Sequence, residues 1–422
     1  MAAFARAGRN THWLSLVVLL FASRVAIAVP YVFEPGGAAS AAEVNSNFAA
    51  IEAELQRIRG VSPPVVVNCE ANSQALAEAI ATGATAISIT AGNCQLTAFE
   101  RRGVVEITGV VGSDGAPLTT ITPEPGFQVQ TGQLISLAST GVAGSIVNRS
   151  GTLLIRLASF ACSDSSQAVV DTIGGYTHIS DSGFASCGGL NVVDAGRLIV
   201  ERSSIQGSPS SGLLTGRTGG FVRSLQNEFI YDGESPWTFN FMDSTVVSER
   251  DIFSGSKRGI YLSGSQAVLD DGQLSGSTAA DRATILVHFA SELQISGGLV
   301  RNTYIDVWAN GGLRLDLPPG TVFDTVGISS SDSWVALSGD FDGAAGSLDA
   351  RFGSYILLAN WANQPSDFAG NFAVDVGFST LLNISEGVVG YTLNCRDGLE
   401  PRRLFDGIAC LVPNSGVGSP AP

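Results

Sequence analysis

Lysine is almost missing from this chain: Lys257 is the only one, and 23 basic residues in all stand against 38 acidic ones. A formal charge of −15 excludes nucleic acid as a natural partner, because phosphate binding needs clustered Lys and Arg and the arginines here are scattered. Charge of either sign is sparse, at 14% of residues, while glycine alone fills 50 positions and Ser and Thr are abundant. That composition suits short strands joined by tight turns and does not suit long helices. After the first 28 residues no segment reaches the roughly 18 consecutive apolar residues of a membrane-spanning helix. Neither G-x-S-x-G nor H-E-x-x-H occurs, and no two cysteines stand as C-x-x-C, so the serine-nucleophile, zincin and cysteine-metal signatures are all absent.

What is present begins with an address. Residues 1–28 carry Arg6 and Arg9 ahead of an apolar run from Trp13 to Ala22 and end in Ala26-Ile27-Ala28, the small-x-small pattern of a signal peptidase site. The expectation is a signal peptide removed before Val29. An uncleaved anchor is disfavoured, because the run is short for a hydrocarbon layer of about 30 Å. Cleavage takes away three arginines and no acids, moving the charge from −15 to −18. The mature protein is expected to be secreted, on the cell surface or in the periplasm, with no membrane span.

A repeat follows. In "AVLDDGQLSGS" Leu269 and Leu274 stand five apart, and the same apolar pair returns at Ile155/Phe160, Ile179/Phe184, Val200/Ile205, Leu225/Ile230, Val247/Ile252, Ile295/Val300, Leu317/Val322, Ala336/Phe341 and Ile384/Val389. Leu358 falls on the same count, though Asn363 at its partner position breaks the pair; with it, ten steps cover the 229 residues from 155 to 384, a mean period of 22.9. A second alternating segment, such as "LNVVDAG", "GIYL" or "TILVHF", precedes each pair. Three short strands per repeat of this length stack as a parallel β-helix, its coils about 4.8 Å apart around one continuous core. Leucine-rich repeats share the length but need an L-x-x-L-x-L-x-x-N signature that is missing. The expected fold class is all-β: a right-handed parallel β-helix (solenoid) of about 23 residues per coil, with a short N-terminal amphipathic helix.

With this period and with strings such as "GIYLSGSQAVLDDGQLSGS", residues 66–394 resemble the pectin-lyase-like family of β-helix proteins. The resemblance implies the fold and offers one enzymatic option, a polysaccharide lyase or hydrolase. Polygalacturonase-like members would show N-T-D, D-D, G-H-G and R-I-K in order, and of these only Asp270-Asp271 is here. Lyase members abstract a proton beside a uronate with an Arg or Lys close to bound calcium, which singles out Lys257 and Arg258 in "GSKRG".

The mature cysteines are even in number: Cys69, Cys94, Cys162, Cys187, Cys395 and Cys410. The first two neighbouring pairs are each 25 apart, close to one coil, so each pair falls almost in register on adjacent coils, within the roughly 4.4 to 6.8 Å a disulfide tolerates between Cα atoms. About fifteen connectivities exist in principle, and the expected one is 69–94, 162–187 and 395–410. Ahead of the repeats Val44, Phe48, Ile51, Leu55 and Ile58 are spaced 4, 3, 4, 3, an a/d stripe with Glu52, Glu54, Arg57 and Arg59 on the polar face. That helix either caps the open first coil or forms a short coiled coil that makes the protein a homotrimer. The string "FEPGGAASAAEVNSNFAAIEAEL" resembles an N-terminal module found in front of exported bacterial and phage-tail-like proteins. The expected divisions are 1–28 signal peptide, 29–64 helical segment and linker, 65–394 β-helix, and 395–422 a disulfide-closed C-terminal cap and tail.

Candidate site residues are few. Asp270 and Asp271 fall where other coils carry Ser180-Asp181, Glu201-Arg202, Ser248-Glu249, Ser296-Gly297 or Pro318-Pro319, and so read as solvated turn residues. An acidic stripe of Asp181, Glu201, Glu249, Asp270, Asp271 and Glu386 would collect Ca²⁺ weakly, without a specific motif; no other cofactor is expected. His178 and His288 lie in alternating strands and read as structural. Trp308, Trp334 and Trp361 are 26 and 27 apart, close to one coil each. Stacked outside they would make a platform for sugar rings, and stacked inside, an aromatic ladder in the core. Tyr231 and Trp237 flank a longer turn in "FIYDGESPWTF" and form a second candidate pair. The expected function is an exported, non-catalytic surface or secreted protein that binds polysaccharide or cell-surface glycan. A lyase or hydrolase is the alternative, and a trimeric structural appendage a third.

Overall fold

The computed structural model describes residues 63–411 apart from 163–167, 208–211, 232–236, 255–258, 276–282, 319–320, 340–346, 360–366, 378–380, 385–387, 397–399 and 405–406. The expectations placed on residues 1–28, on the stripe from Val44 to Ile58, and on Lys257, Arg258, Trp361 and Glu386 therefore lie outside the described residues.

The chain is a parallel β-solenoid of about 12 turns and about 23 residues per turn, as a right-handed parallel β-helix requires. Each coil carries three short strands. A first face is built from Thr152–Arg156, Tyr176–Ser180, Arg197–Glu201 and their successors, and a second from Ser159–Ala161, Gly183–Cys187 and Ser204–Gly207. The third runs through Val170–Ile173, Leu190–Val193 and Leu214–Arg217. Two-residue alternation sends Leu153 and Ile155 inward while their neighbours face out, so each coil adds one apolar rung to a single core. On the first face the inward column is Ile155, Ile179, Val200, Ser224, Ser248, Leu269, Ile295 and on to Leu358 and Ile384.

Two rungs correct the apolar pairing read from sequence. Leu225/Ile230 and Val247/Ile252 do not point inward; Ser224/Phe229 and Ser248/Phe253 do, and Ile252 is exposed. A one-residue slip exchanges the faces of a strand, and it was hidden because the buried first position is a serine in both coils. Farther along, the column likewise passes through Leu315 and Leu337 rather than Leu317 and Ala336. The second and third faces supply the aromatic filling: Phe160 stacks on Phe184 at 4.5 Å, and Phe229 meets Phe253 at 5.8 Å and, from the third face, Phe239 at 4.9 Å.

The tight corner between first and second faces is held from within. Asp181, Arg202, Gln226, Arg250 and Asp271 all take the left-handed conformation there, with φ of 47° to 55°. The residue that follows points into the core and accepts a backbone N–H from the preceding coil: Ser203 Oγ from Ser182 at 3.1 Å, Asn227 Oδ1 from Ser203 at 2.8 Å, Asp251 Oδ1 from Asn227 at 2.7 Å. This ladder satisfies amides that leave strand pairing at the bend. It stops at Gly272, which has no side chain to extend it.

Disulfides join Cys69 to Cys94 and Cys162 to Cys187, with Cα separations of 5.2 and 5.0 Å, as the coil register requires. Cys395 is also disulfide-bonded, and the side chain of Cys410 lies outside the described residues. At the start of the solenoid a helix over Ala75–Ala81, which the sequence reading passed over, buries Leu76, Ala79 and Ile80 against the first strands. Asn72 accepts from the Gln74 amide and donates to Glu78, fixing the turn into it. At the other end an antiparallel hairpin of Glu400–Leu404 and Gly407–Leu411 covers the edge of Leu381–Ile384.

Candidate functional site

The third face turns a line of aromatic rings outward. Its strands Trp237–Met242, Gly259–Ser263, Ala283–His288 and Leu299–Trp308 pair in parallel, which brings side chains far apart in sequence onto neighbouring coils. Trp237 lies 5.5 Å from Tyr261, Tyr261 lies 5.8 Å from His288, and His288 meets Trp308 edge-on at 4.4 Å, all between ring centroids. Phe289, in the left-handed conformation at the corner that follows, adds a ring 5.3 Å from Trp308. Phe289 is 53% exposed and Trp308 38%. They are the open part of the stripe.

His288 is its buried hinge: only 7% of the residue is exposed and Nε2 has no hydrogen-bond partner among the described residues. Burial pushes the imidazole below its ordinary value, and the carboxylate of Asp306 on the next coil pulls it partly back. Away from the stripe the same face is charged, with Arg396 reaching Asp349 at 3.3 Å and Asp375 at 3.1 Å. At the opposite end of the face burial pushes the Asp171 carboxyl up, against a hydrogen bond from Asn191 at 2.9 Å.

The tryptophans expected to stack do not stand over one another. From Trp308 the register leads to Ser331, 23 residues on, so Trp334 has already passed the corner onto the first face. There Trp334 aligns with Gly312 and Tyr355, and its indole covers Gly312, where a Cβ would lie 2.3 Å from the ring. Neither indole fills the core; Phe side chains do. Of the second candidate pair, Trp237 joins the stripe, whereas Tyr231 is fully buried and aligned with Gly207. Tyr261 and Phe289 escaped the sequence reading. Their spacing to His288 and Trp308 is irregular because coil lengths vary, so a fixed period does not collect them.

Asp270 ends the strand Gln266–Asp270 between Glu249 and Ser296, and Asp271 occupies the left-handed corner, both exposed. Asp271 lines a groove of about 520 Å³ together with Arg250, Gly297, Pro318 and Thr321. The acidic stripe is interrupted by arginines: Arg202 binds Asp181 at 2.7 Å and Glu201 at 3.3 Å, and Arg223 binds Glu249 at 3.0 Å. The Arg202 hydrogen bond holds the Asp181 carboxyl below the usual carboxylate range. His178 stands 3.6 Å from Glu201 on the first face. Among the described residues no group of three or more His, Cys, Asp or Glu is placed to hold a metal ion. Changing Asp270 and Asp271 together to Asn should move unfolding by no more than about 0.5 kcal/mol in urea titration, the usual range for surface substitutions. A loss of several times that would mean the pair carries structure.

No family model, curated protein or solved structure matches this chain. Fold and surface together define a class all the same: a disulfide-bonded parallel β-solenoid with an aromatic stripe on one face. Its disulfides are compatible with an extracellular or periplasmic place, and among the described residues no helix is long and apolar enough to cross a membrane.

Proposed function

We propose that this is an exported, non-catalytic right-handed β-helix of the pectin-lyase-like kind that binds glycan along the third-face stripe. The observation that supports it most is the run Tyr261, His288, Trp308 and Phe289 on adjacent coils. Sugar C–H faces would pack on the exposed rings of Trp308 and Phe289, which the buried His288 supports edge-on from the coil beside Trp308. Tyr261, His288 and Trp308 stand on paired strands, which limits the entropy lost on binding. Export follows from the N-terminal signal pattern, and the protein acts in the periplasm, at the cell surface or beyond it.

Retention on immobilised polysaccharides and a glycan array tests the reading. The mature protein should bind at least one neutral glycan, and Trp308→Ala should weaken that binding about tenfold or more while Trp334→Ala leaves it in place. The same incubation should release no reducing ends. Failure of the parent to bind any glycan, or full binding by the Trp308 variant, would sink the proposal; release of reducing ends would promote the lyase or hydrolase alternative.

A further inference from the structure

Arg102 and Arg149 both line a second concavity, a polar groove of about 480 Å³ at the corner between third and first faces. Three successive coils build it: the approach to the strand Gly103–Thr108, the turn before Gln133–Ala138, and the corner after Ile146–Arg149. Its walls are fixed by one buried amide. Gln133, 4% exposed, accepts from the Gln130 backbone at 2.8 Å and donates to the carbonyls of Phe99 at 2.6 Å and Arg101 at 3.2 Å. Gly103 N–H adds a bond to Gly132 at 2.8 Å, so the loop that carries Arg102 is pinned to the next coil. The aliphatic stem of Arg102 rests on Gly132, where φ is +81° and a Cβ would lie 3.3 Å from Arg102 Cδ.

What marks the groove is that two arginines without a carboxylate partner line it together. Arg202, Arg223, Arg301, Arg314, Arg351 and Arg396 each have a carboxylate within 4.0 Å. Neither Arg102 nor Arg149 has one among the described residues, and nor do Arg101, Arg156, Arg197, Arg217 and Arg250; Arg102 and Arg149 are set apart by lining one groove together. Glu100 also lines the groove and pairs with neither. On later coils the same corner carries Asp194, Asp243 and Asp332, each with positive φ. Both side chains are exposed, and two guanidiniums that line one groove can share an oxyanion, which accepts their N–H groups in bidentate fashion.

We propose that this groove binds an oxyanion, either a free inorganic anion or a sulfate or phosphate ester on a larger ligand, with Arg102 and Arg149 as its donors. Thr131 and Ser150 line the same groove and add hydroxyls within it. The site is separate from the aromatic stripe and does not depend on its occupant.

Calorimetric titration of the mature protein at low ionic strength tests this, with sodium sulfate, inorganic phosphate, a sulfated disaccharide and its desulfated form. At least one anion should bind and the desulfated sugar should not. Arg149→Gln, and the double change Arg102→Gln with Arg149→Gln, should weaken binding about tenfold or more. Arg217→Gln, on the same face but outside the groove, should leave it unchanged. Thermal melting separates lost binding from lost fold, and the Arg149 variant alone serves if the double variant is unstable. Binding of inorganic ions alone supports a free anion as ligand, and binding of the sulfated sugar alone supports an ester. Absence of binding by every anion, or equal affinity in the Arg149 variant, overturns the site.

Discussion

Replacing Asp251 by Asn should raise stability at pH 7 and flatten its dependence on pH, although the side chain touches no surface. Asp251 is fully buried at the tight corner, where Oδ1 accepts from the Asn227 amide at 2.7 Å and Oδ2 from Ser248 Oγ at 2.6 Å. Burial pushes its carboxyl above the ordinary value of 3.8, more than the bonds from Ser224, Ser248 and Asn227 pull it down. The folded state therefore holds the proton more tightly than the unfolded chain. That contribution is complete below the unfolded value and is lost as pH rises through the folded one. An amide copies the protonated acid: its oxygen keeps the Asn227 bonds and its NH₂ donates to the serine hydroxyls. Ala at the same place leaves the Asn227 amide and those hydroxyls buried without partners, at about 3 kcal/mol. Urea unfolding of parent, Asn and Ala proteins across acid and neutral pH distinguishes these outcomes. An Asn variant that loses stability at pH 7 would show that the ladder needs the charge.

The ladder also shows what sequence could and could not reveal. A period of 22.9, the 25-residue cysteine spacings and the excess of Gly, Ser and Thr were enough for a β-solenoid, because stacking demands equal coils and tight turns. Register within a coil was less legible. Ser224, Ser248, Asn227 and Asp251 are polar residues buried together, and any search for apolar pairs steps around them onto Leu225 and Val247. The stripe was legible only in part, through Trp308 and Trp237. Joining them to Tyr261 and His288 requires the lengths of the connections between second and third faces, which no propensity determines. The Ala75–Ala81 helix has alanine-rich composition as its signal, but at seven residues it is too short to show the sustained a/d spacing that makes the stretch from Val44 to Ile58 stand out.

Gly207 is the position where one methyl group should do most harm. It ends the strand Ser204–Gly207 directly against Cys187, and a Cβ there would lie 1.9 Å from the Cys187 carbonyl oxygen and 3.4 Å from Leu213 Cδ2. The neighbouring coil cannot withdraw, because Cys187 is tied to Cys162 one coil farther back. Gly207→Ala should thus cost about 3 kcal/mol, the upper range of overpacking, although the residue is small and the change conservative. Gly183, on the same face, has open space where its Cβ would stand and no positive φ, so Gly183→Ala should be neutral or stabilise by up to about 1 kcal/mol through the unfolded chain. Reduction of the disulfides should narrow the gap between the two variants by letting the Cys187 coil shift. Equal melting temperatures for the two under oxidising conditions would mean that the coils around Cys187 are not stacked in this register.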